Sequence, residues 1–369
     1  MVSKLQVQLP VDDLEQCWPE ACCGKRVGAV LHAASTTTDL RSTLSQLERL
    51  SDLGLVSLTT LFGPQHGFAT TTQDNMIEWE GYRHPRLGVP IHSLYGEHRE
   101  PTLEMLAEVD VLFLDLMDVG ARYYTFIWTM FLCMKACREK GIPLVVADRP
   151  NPIGGALIEG RPQEPDFLSF VGLHPIPIRH GRTIGELADQ FRAECFPDLE
   201  LTVLPMSGWE RSMDYEATGI PWVSPSPNMP TLETARVYPG MCLLEGTNVS
   251  EGRGTTRPFE YFGAPWIEGE EFAGELNAVG LPGVVFRDIS FEPGFQKFAG
   301  QVCHGCQVHV TDRNEFRPVA TALQILAKLR ERYPSEFAWK KPPYEYEYDK
   351  LPIEILCGRP ESRIFSETL

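Results

Sequence analysis

The chain has 369 residues, of which 43% are apolar and 22% charged, a composition typical of a globular protein that forms its core without disulfide bonds. Its 50 acidic and 33 basic residues give a formal net charge of −17, which argues against nucleic acid and anionic membranes as partners. No apolar run reaches the length of about 18 residues that a membrane span needs, and the start, MVSKLQVQLPVDDLEQCWPE, lacks a signal-peptide core. We therefore expect a cytoplasmic monomer or homodimer with reduced thiols.

Strand-like runs alternate with helical patterns through the first half of the chain. The predicted strands cover 26–34, 55–62, 89–94, 109–116, 142–147 and 199–204. The predicted helices cover 39–53, 101–108, 123–140 and 183–195, the last of which begins with the capping-box pattern TIGE. This alternation predicts right-handed crossovers and therefore a Rossmann-like, mostly parallel sheet with helices on both faces.

The pattern changes beyond about residue 255. Predicted helices at 268–279 and 318–333 enclose two strand-like runs, at 283–289 and 306–311. We interpret this region as a smaller α+β domain. The predicted division is a Rossmann-like catalytic domain over 1–259 and a C-terminal domain over 260–369 that completes the cleft.

Polar loops follow the predicted strands. The sequences GPQHGF, YGEHREP, MDVGARYYTF and DRPNPIGG each come directly after a strand, and SPSPNMP follows later. Because ligands bind beyond the carboxyl ends of parallel strands, we expect these loops to meet at one rim. Simpler interpretations stay open: Asp118 as a helix cap, Asp148 and Arg149 as a structural ion pair, and His66 as a hydrogen-bonded structural residue. Asn151 and Asn228 would then only close turns.

The segment LEGTNVSEGRGTTRP, residues 244–258, combines charge with small side chains. Glu245 and Glu251 flank small polar residues, and Arg253 and Arg257 follow. Loops rich in acids, arginines and aromatic residues suit carbohydrates, and hydrolysis of a glycosidic bond commonly employs a pair of carboxyl groups. We interpret the segment as one that approaches a saccharide closely.

Several other chemistries find no support in the sequence. The first strand is followed by ASTTTD rather than a dinucleotide-binding turn, and the phosphate-binding loop, the zinc-protease helix motif and the nucleophile elbow are all absent. The run CHGCQVH resembles half of a zinc site, with ligands Cys303, His304, Cys306 and His309. It runs directly into an alternating strand and has no second half, so we favour structural thiols and predict no metal and no cofactor.

The loops together resemble the exo-β-N-acetylmuramidase family, glycoside hydrolase family 171, formerly a domain of unknown function. The resemblance runs from about residue 24 to 310 and is carried by FGPQHGF, SLYG, DVGARYYTF, DRPNPIGG, RHGRTIGELA, SPNMPTLETARVYPG and LEGTNVSEGRGTTRPFEYFGAPW. It implies a Rossmann-like domain plus a smaller carboxy-terminal domain, a cleft near their junction, and release of N-acetylmuramic acid from peptidoglycan fragments. In one departure, Gln65 stands where many members have the glutamate that is the favoured catalytic acid, and a glutamine amide cannot donate a proton as that acid does.

From these residues and the resemblance we predict an exo-acting glycosidase for a small saccharide. The predicted catalytic residues are Glu251, Asp118 and His66. The predicted substrate-binding residues are Gln65, Arg122, Tyr124, Asp148, Asn151, Asn228 and Arg253, in which the arginines hold an anionic group such as a lactyl carboxylate. The alternative is a non-catalytic saccharide-binding protein that kept the cleft and lost the acid.

Replacement of one carboxylate tests the predicted centre. Glu251→Gln keeps the shape of the side chain but removes its charge, so we expect turnover to fall by orders of magnitude. Steady-state rates on a chromogenic N-acetylmuramide measure the effect, and a fully active variant removes Glu251 from the catalytic residues.

Overall fold

The computed structural model describes residues 7–74 and 76–365, which form two compact units. Unit 1 comprises the described residues within Met1–Gly120, Tyr124–Ala156 and Gly181–Pro227. Unit 2 comprises those within Ala121–Tyr123, Leu157–His180 and Asn228–Leu369. Each unit is thus assembled from separate chain segments, and the division between 259 and 260 stays a prediction.

Unit 1 is built on a seven-stranded sheet. Its strands are β1 Lys25–Val30, β2 Val56–Gly63, β3 Tyr82–Arg83, β4 Pro90–Ser93, β5 Val111–Leu114, β6 Leu144–Ala147 and β7 Leu201–Leu204. They lie in the order β3-β4-β2-β1-β5-β6-β7, and every pairing is parallel except that of β3 with β4. Every residue of β5 and β6 is buried, as expected for parallel strands that helices cover on both faces.

The described part of unit 1 contains five α-helices. They are α1 Leu14–Cys17, α2 Thr43–Asp52, α3 Phe126–Lys140, α4 Ile184–Cys195 and α5 Tyr215–Thr218. Thr183 and Glu186 form the predicted capping box at the start of α4, and Gly141, with φ 72°, ends α3. The predicted Rossmann-like α/β architecture is confirmed.

The helix predicted at 101–108 was wrong. The segment forms turns, in which Leu106 N–H reaches Thr102 C=O while Ala107 N–H reaches only Glu104 C=O. A single turn fixes too many dihedral angles for the hydrogen bonds that it gains. In addition, Asp110, two residues beyond the segment, is held by the backbone and guanidinium of Arg26.

Unit 2 contains an antiparallel sheet and further helices. Its strands are β8 Tyr261–Ala264, β9 Val284–Phe291 and β10 Cys303–Val310, in the order β8-β10-β9. Its helices are α6 Leu232–Met241, α7 Gly269–Val279, α8 Pro318–Arg332, α9 Pro352–Cys357 and α10 Glu361–Ile364. The sequence analysis missed α6, which Thr231 caps and which contains Pro239. Over the residues described, no helix has the length and apolar content that a membrane crossing requires.

Candidate active site

The sheet of unit 1 reverses its direction of growth between β1 and β5. From β1 the chain builds outward through β2 and β4, whereas β5, β6 and β7 extend the sheet on the other side of β1. Such a reversal leaves a crevice at the carboxyl ends of the two central strands, the usual ligand position in this class of sheet. The segments that enter the crevice carry His32 after β1, and Asp115 and Asp118 after β5.

A buried ion pair lies at the start of this crevice. Arg149 donates from Nη2 to Asp115 Oδ2 at 2.7 Å and from Nε to Oδ1, and the two side chains are 4% and 0% exposed. Thr43 Oγ1 donates to the same carboxylate at 2.6 Å. Arg149 therefore forms a structural ion pair with Asp115, and not with Asp148 as one of the sequence interpretations had it.

His32 connects two loops of the crevice. Its Nε2 accepts the N–H of Met117 at 2.9 Å, and the ring also hydrogen-bonds the carbonyl of Pro225. Burial, followed by the charge of Arg149, lowers the pKa of His32 to about 3 and keeps the ring neutral. The sequence analysis missed His32 because the first predicted strand included it. In the structure β1 ends two residues before His32, and a position just beyond the end of a strand is the feature that could have identified it as a site residue.

Asp118 and Asn151 shape the loops that His32 supports. Asp118 is 4% exposed, and its Oδ2 accepts the N–H of Gly120 at 2.8 Å. Gly120 has φ 80°, and a Cβ at this position would lie 2.5 Å from Asn151 Oδ1, so both conformation and space require glycine. Asn151 also donates to the carbonyl of Arg182 at 2.9 Å. The two predicted site residues thus lie on loops that pack together.

Gln65 and His66 lie on the loop after β2 and are each 7% exposed. Thr125 Oγ1 donates to Gln65 Oε1 at 2.6 Å, which fixes the orientation of the amide. His66 Nδ1 lies 2.8 Å from the carbonyl of Thr72, which can only accept, so Nδ1 is the donor and Nε2 faces away from this bond. His66 has φ 71°, a strained conformation that is common at functional sites.

The same crevice brings together further predicted residues. The ring of Tyr124 lies 4.8 Å from that of Phe126, which in turn lies 4.8 Å from the ring of His32. Thr125, which bonds Gln65, directly follows Tyr124, so the loop of Gln65 and His66 lies beside that of Tyr124. In unit 1, therefore, Gln65, His66, Asp118, Tyr124 and Asn151 belong to loops around one crevice.

Asp148 has a different environment, at the beginning of α4. It accepts the N–H of Gly185 at 2.8 Å and of Arg149 at 2.9 Å, and the hydroxyl of Thr183 at 3.1 Å. Burial raises the pKa of its carboxyl to about 6 against these three bonds. The geometry gives Asp148 a helix-anchoring role, and its part in substrate binding stays a prediction.

The charges of segment 244–258 contact one another in unit 2. Arg253 Nη2 lies 2.7 Å from Glu245 Oε1, and Arg253 Nε lies 3.5 Å from Glu251 Oε1. Tyr344 donates to Glu245 at 2.7 Å. Burial raises the pKa of Glu245, but the charge of Arg253 and the bond from Tyr344 outweigh burial and lower it below the ordinary value. We call these side chains, with Lys297, the glutamate–arginine network.

Lys297 completes this network. Its ammonium donates to Glu251 Oε2 at 2.8 Å and to the carbonyls of Leu244 and Val249, both at 2.9 Å. Two carboxylates and two cations make the network neutral overall, and Glu251 is only 2% exposed. Because loss of one partner of a buried pair costs about 3–5 kcal/mol, Glu251→Gln should lower stability as well as turnover.

The remaining predicted binding residues also lie in unit 2. Arg122 is 0% exposed and donates to the carbonyls of Arg161 and Ile176 at 3.0 Å and of Leu356 at 2.5 Å. These bonds hold three backbone segments, which favours a structural role for its guanidinium. Asn228 is 4% exposed. Substrate contacts by Arg122, Asn228 and Arg253 stay predictions.

The CHGCQVH run forms β10. Cys303 and Cys306 are buried, whereas His304 and His309 are exposed. All ten cysteines of the chain are free thiols. Within residues 7–74 and 76–365, no three His, Cys, Asp or Glu side chains are grouped so that they could hold a metal ion.

Comparison with known proteins relates the chain to one family along nearly its whole length. Residues 27–233 match the family model "Exo-beta-N-acetylmuramidase NamZ, N-terminal", and residues 236–365 match "Exo-beta-N-acetylmuramidase NamZ, C-terminal". The peptidoglycan beta-N-acetylmuramidase NamZ of Bacillus subtilis is 48% identical over 334 residues, which cover 90% of this chain and 80% of the relative.

Two crystal structures of DUF1343 family proteins from Bacteroides fragilis share the fold. The first has a TM-score of 0.86 and 33% identity, and the alignment covers 99% of this chain and 92% of the other. The second has a TM-score of 0.73 and 26% identity, with 97% and 89% of the two chains covered.

The buried His32 predicts an acid dependence of stability. Its pKa is about 3 in the folded chain against 6.5 ordinarily, so between these values the unfolded chain binds a proton that the folded chain does not. Stability is therefore full above pH 6.5 and falls as the pH falls, by about 1.4 kcal/mol per pH unit from this residue. We expect His32→Gln to reduce the slope of unfolding free energy against pH, measured by denaturant unfolding between about pH 4 and 6.

The matched control for this measurement is His309→Gln, at an exposed position. Its slope should equal that of the unmodified chain. An unchanged slope in His32→Gln would show that the ring takes up its proton equally well in the folded and unfolded chains.

Proposed function

The chain belongs to the exo-β-N-acetylmuramidase NamZ family, and on this premise we propose that it is an exo-acting glycoside hydrolase that releases terminal N-acetylmuramic acid from peptidoglycan-derived saccharides. The observation that carries the proposal is the 48% identity, over 90% of the chain, to a peptidoglycan β-N-acetylmuramidase. The crevice at the reversal of the unit 1 sheet supports it independently, since the buried carboxyl of Asp118 lies on a loop there.

The reaction requires a proton donor and a second group that stabilises or traps the sugar cation. Hydrolysis breaks the bond between C1 and the bridging oxygen, which takes up a proton as the leaving sugar departs. The oxygen of water bonds to C1 and loses a proton. The 2-acetamido group of the substrate can itself attack C1, in which case a protein carboxylate orients that group.

In this proposal Asp118 is the carboxylate of the unit 1 crevice at the reacting sugar. Its Oδ2 is held by the N–H of Gly120, and the neighbouring Met117 is fixed by the neutral ring of His32, so the carboxylate is preorganised. His66 keeps its predicted place at the substrate: its Nδ1 donates to the carbonyl of Thr72, so Nε2 accepts from a substrate hydroxyl when the ring is neutral and donates only when the ring is protonated. Tyr124, Asn151 and the amide of Gln65 bind hydroxyl or acetamido groups.

Two further parts of the proposal rest on other residues. Glu251 and Arg253 keep their predicted roles at the substrate, with the charge of both maintained by the glutamate–arginine network of unit 2.

The cytoplasmic location rests on the ten free thiols, which suit a reducing compartment. The alternative function, non-catalytic saccharide binding, is not favoured by similarity to an enzyme.

Incubation with 4-nitrophenyl β-N-acetylmuramide tests the function directly. We expect release of nitrophenol, with little release from the matching N-acetylglucosaminide, which lacks the lactyl group. Asp118→Asn should lower turnover by about 10²–10⁴-fold, since general acid–base groups contribute on that scale. The control is Asp189→Asn, an exposed position on α4 of the same unit. If neither glycoside is cleaved by the unmodified chain, the proposed activity is wrong, and an unaffected Asp118→Asn removes only Asp118.

Restoring a carboxyl at residue 65 is the sharper test of mechanism. In Gln65→Glu the hydroxyl of Thr125 can still donate to the side chain, and burial favours the protonated acid. We expect turnover to rise about tenfold or more, with a new basic limb in the pH profile where that acid loses its proton. Gln65→Met, of similar length without polar atoms, should instead lose turnover. A Gln65→Glu enzyme slower than the unmodified chain contradicts the expectation that a carboxyl at this position acts as the catalytic acid.

A further inference from the structure

The loop after β2 turns tightly from Pro64 to Gly67, and Gln65 and His66 are the two central residues of this turn. The N–H of Gly67 donates to the carbonyl of Pro64 at 3.1 Å, which closes a β-turn. His66, the third residue, has φ 71°, a value that glycine normally supplies at this position of a type II turn. Rotation of the central peptide would return His66 to negative φ and would change the direction of both side chains, so the turn needs support from its surroundings.

Trp79 packs directly on this turn. Its indole Nε1 donates to the carbonyl of Pro64 at 3.0 Å. Its ring lies against two glycines of the loop: a Cβ on Gly63 would lie 2.8 Å from Trp79 Cζ2, and a Cβ on Gly67 would lie 3.8 Å from Cδ2. The distance at Gly63 leaves no room for a side chain, so the indole and the backbone of the loop are in direct contact.

The segment that carries this indole is bonded to the neighbouring loops. We call the described residues of 70–79 the strap. The N–H of Met76 donates to the hydroxyl of Tyr95, on the loop after β4, at 3.0 Å, and Tyr95 is 0% exposed. Near the other end of the strap, Thr70 Oγ1 accepts the N–H of Ala33, on the loop after β1, at 3.2 Å. The strap is therefore anchored at both ends to loops at the carboxyl edge of the sheet.

Thr72 connects the strap to His66 at two points. The N–H of Thr72 donates to the carbonyl of His66 at 3.1 Å, and the carbonyl of Thr72 accepts from Nδ1 of the His66 ring at 2.8 Å. Both the backbone and the ring of His66 are thus held in the conformation with positive φ. Thr72 supports the end of the turn, and Trp79 supports its start at Pro64.

We propose that Trp79 is a positioning residue of the glycosidase centre, which keeps Gln65 and His66 in the orientation that the reaction requires. The inference rests on the proposed function, in which both residues lie at the substrate. Trp79 acts through the turn: its N–H and its ring stabilise the conformation with positive φ at His66 against the relaxed turn, in which that φ is negative.

The substitution Trp79→Phe tests the proposal, because phenylalanine keeps an aromatic ring but has no N–H for the carbonyl of Pro64. NMR of the chain with its nine histidines labelled with ¹⁵N measures how fast the proton on His66 Nδ1 exchanges with water, and His66→Gln identifies that signal. We expect exchange at least about tenfold faster in Trp79→Phe, since the relaxed turn breaks the bond to Thr72. This measurement needs no substrate, so it decides the orientation of His66 even if the proposed activity is wrong.

The matched control is Trp18→Phe, which also shortens an indole in unit 1. Trp18 is 7% exposed and its ring packs near that of Phe113, but its Nε1 makes no hydrogen bond within the described part of the chain. Both substitutions should lower the free energy of unfolding through lost packing. Only Trp79→Phe should speed the exchange and lower kcat/KM for the muramide, by about tenfold.

A double-mutant cycle separates positioning from a general loosening of unit 1. In the Gln65→Met chain, Trp79→Phe should lower kcat/KM by less than about threefold, since the amide that Trp79 orients is already absent. Unchanged exchange in Trp79→Phe, an equal loss of turnover in Trp18→Phe, or fully additive losses in the cycle would each overturn the proposal.

Discussion

The buried pair of Asp115 and Arg149 determines how the crevice of unit 1 is organised. Asp115 directly follows β5 and Arg149 follows β6, and the guanidinium also donates to the carbonyl of Thr36 on the loop after β1 at 2.8 Å. The hydroxyl of Thr43, the first residue of α2, adds a further bond to the carboxylate. Every charge is thus compensated, which a buried pair requires if it is not to cost several kcal/mol. The loops after β1, β5 and β6 and the start of α2 are thus held together at one edge of the sheet.

In both units, hydrogen bonds and ion pairs with other protein groups hold the charged and polar side chains in position. In unit 1 the neutral ring of His32 holds the backbone beside Asp118, and Thr125 orients Gln65. In unit 2 Lys297 donates to Glu251 and to two carbonyls. These hydrogen bonds hold each side chain in one conformation, because any other conformation would break buried hydrogen bonds. Binding and catalysis need side chains that are positioned this closely.

Local sequence patterns predicted the parallel strands, the capping box at Thr183, the glycine end of α3 at Gly141, and the family through its ordered loops. These follow from side-chain periodicity and from hydrogen bonds between residues at most a few positions apart. The long-range contacts became visible only in the folded chain: Arg149 pairs with Asp115, His32 supports Met117, and the charges of 244–258 contact Lys297 and Tyr344. Those partners lie 34, 85, 46 and 99 positions apart, so their meeting depends on the path of the whole chain and on burial, which no local pattern encodes.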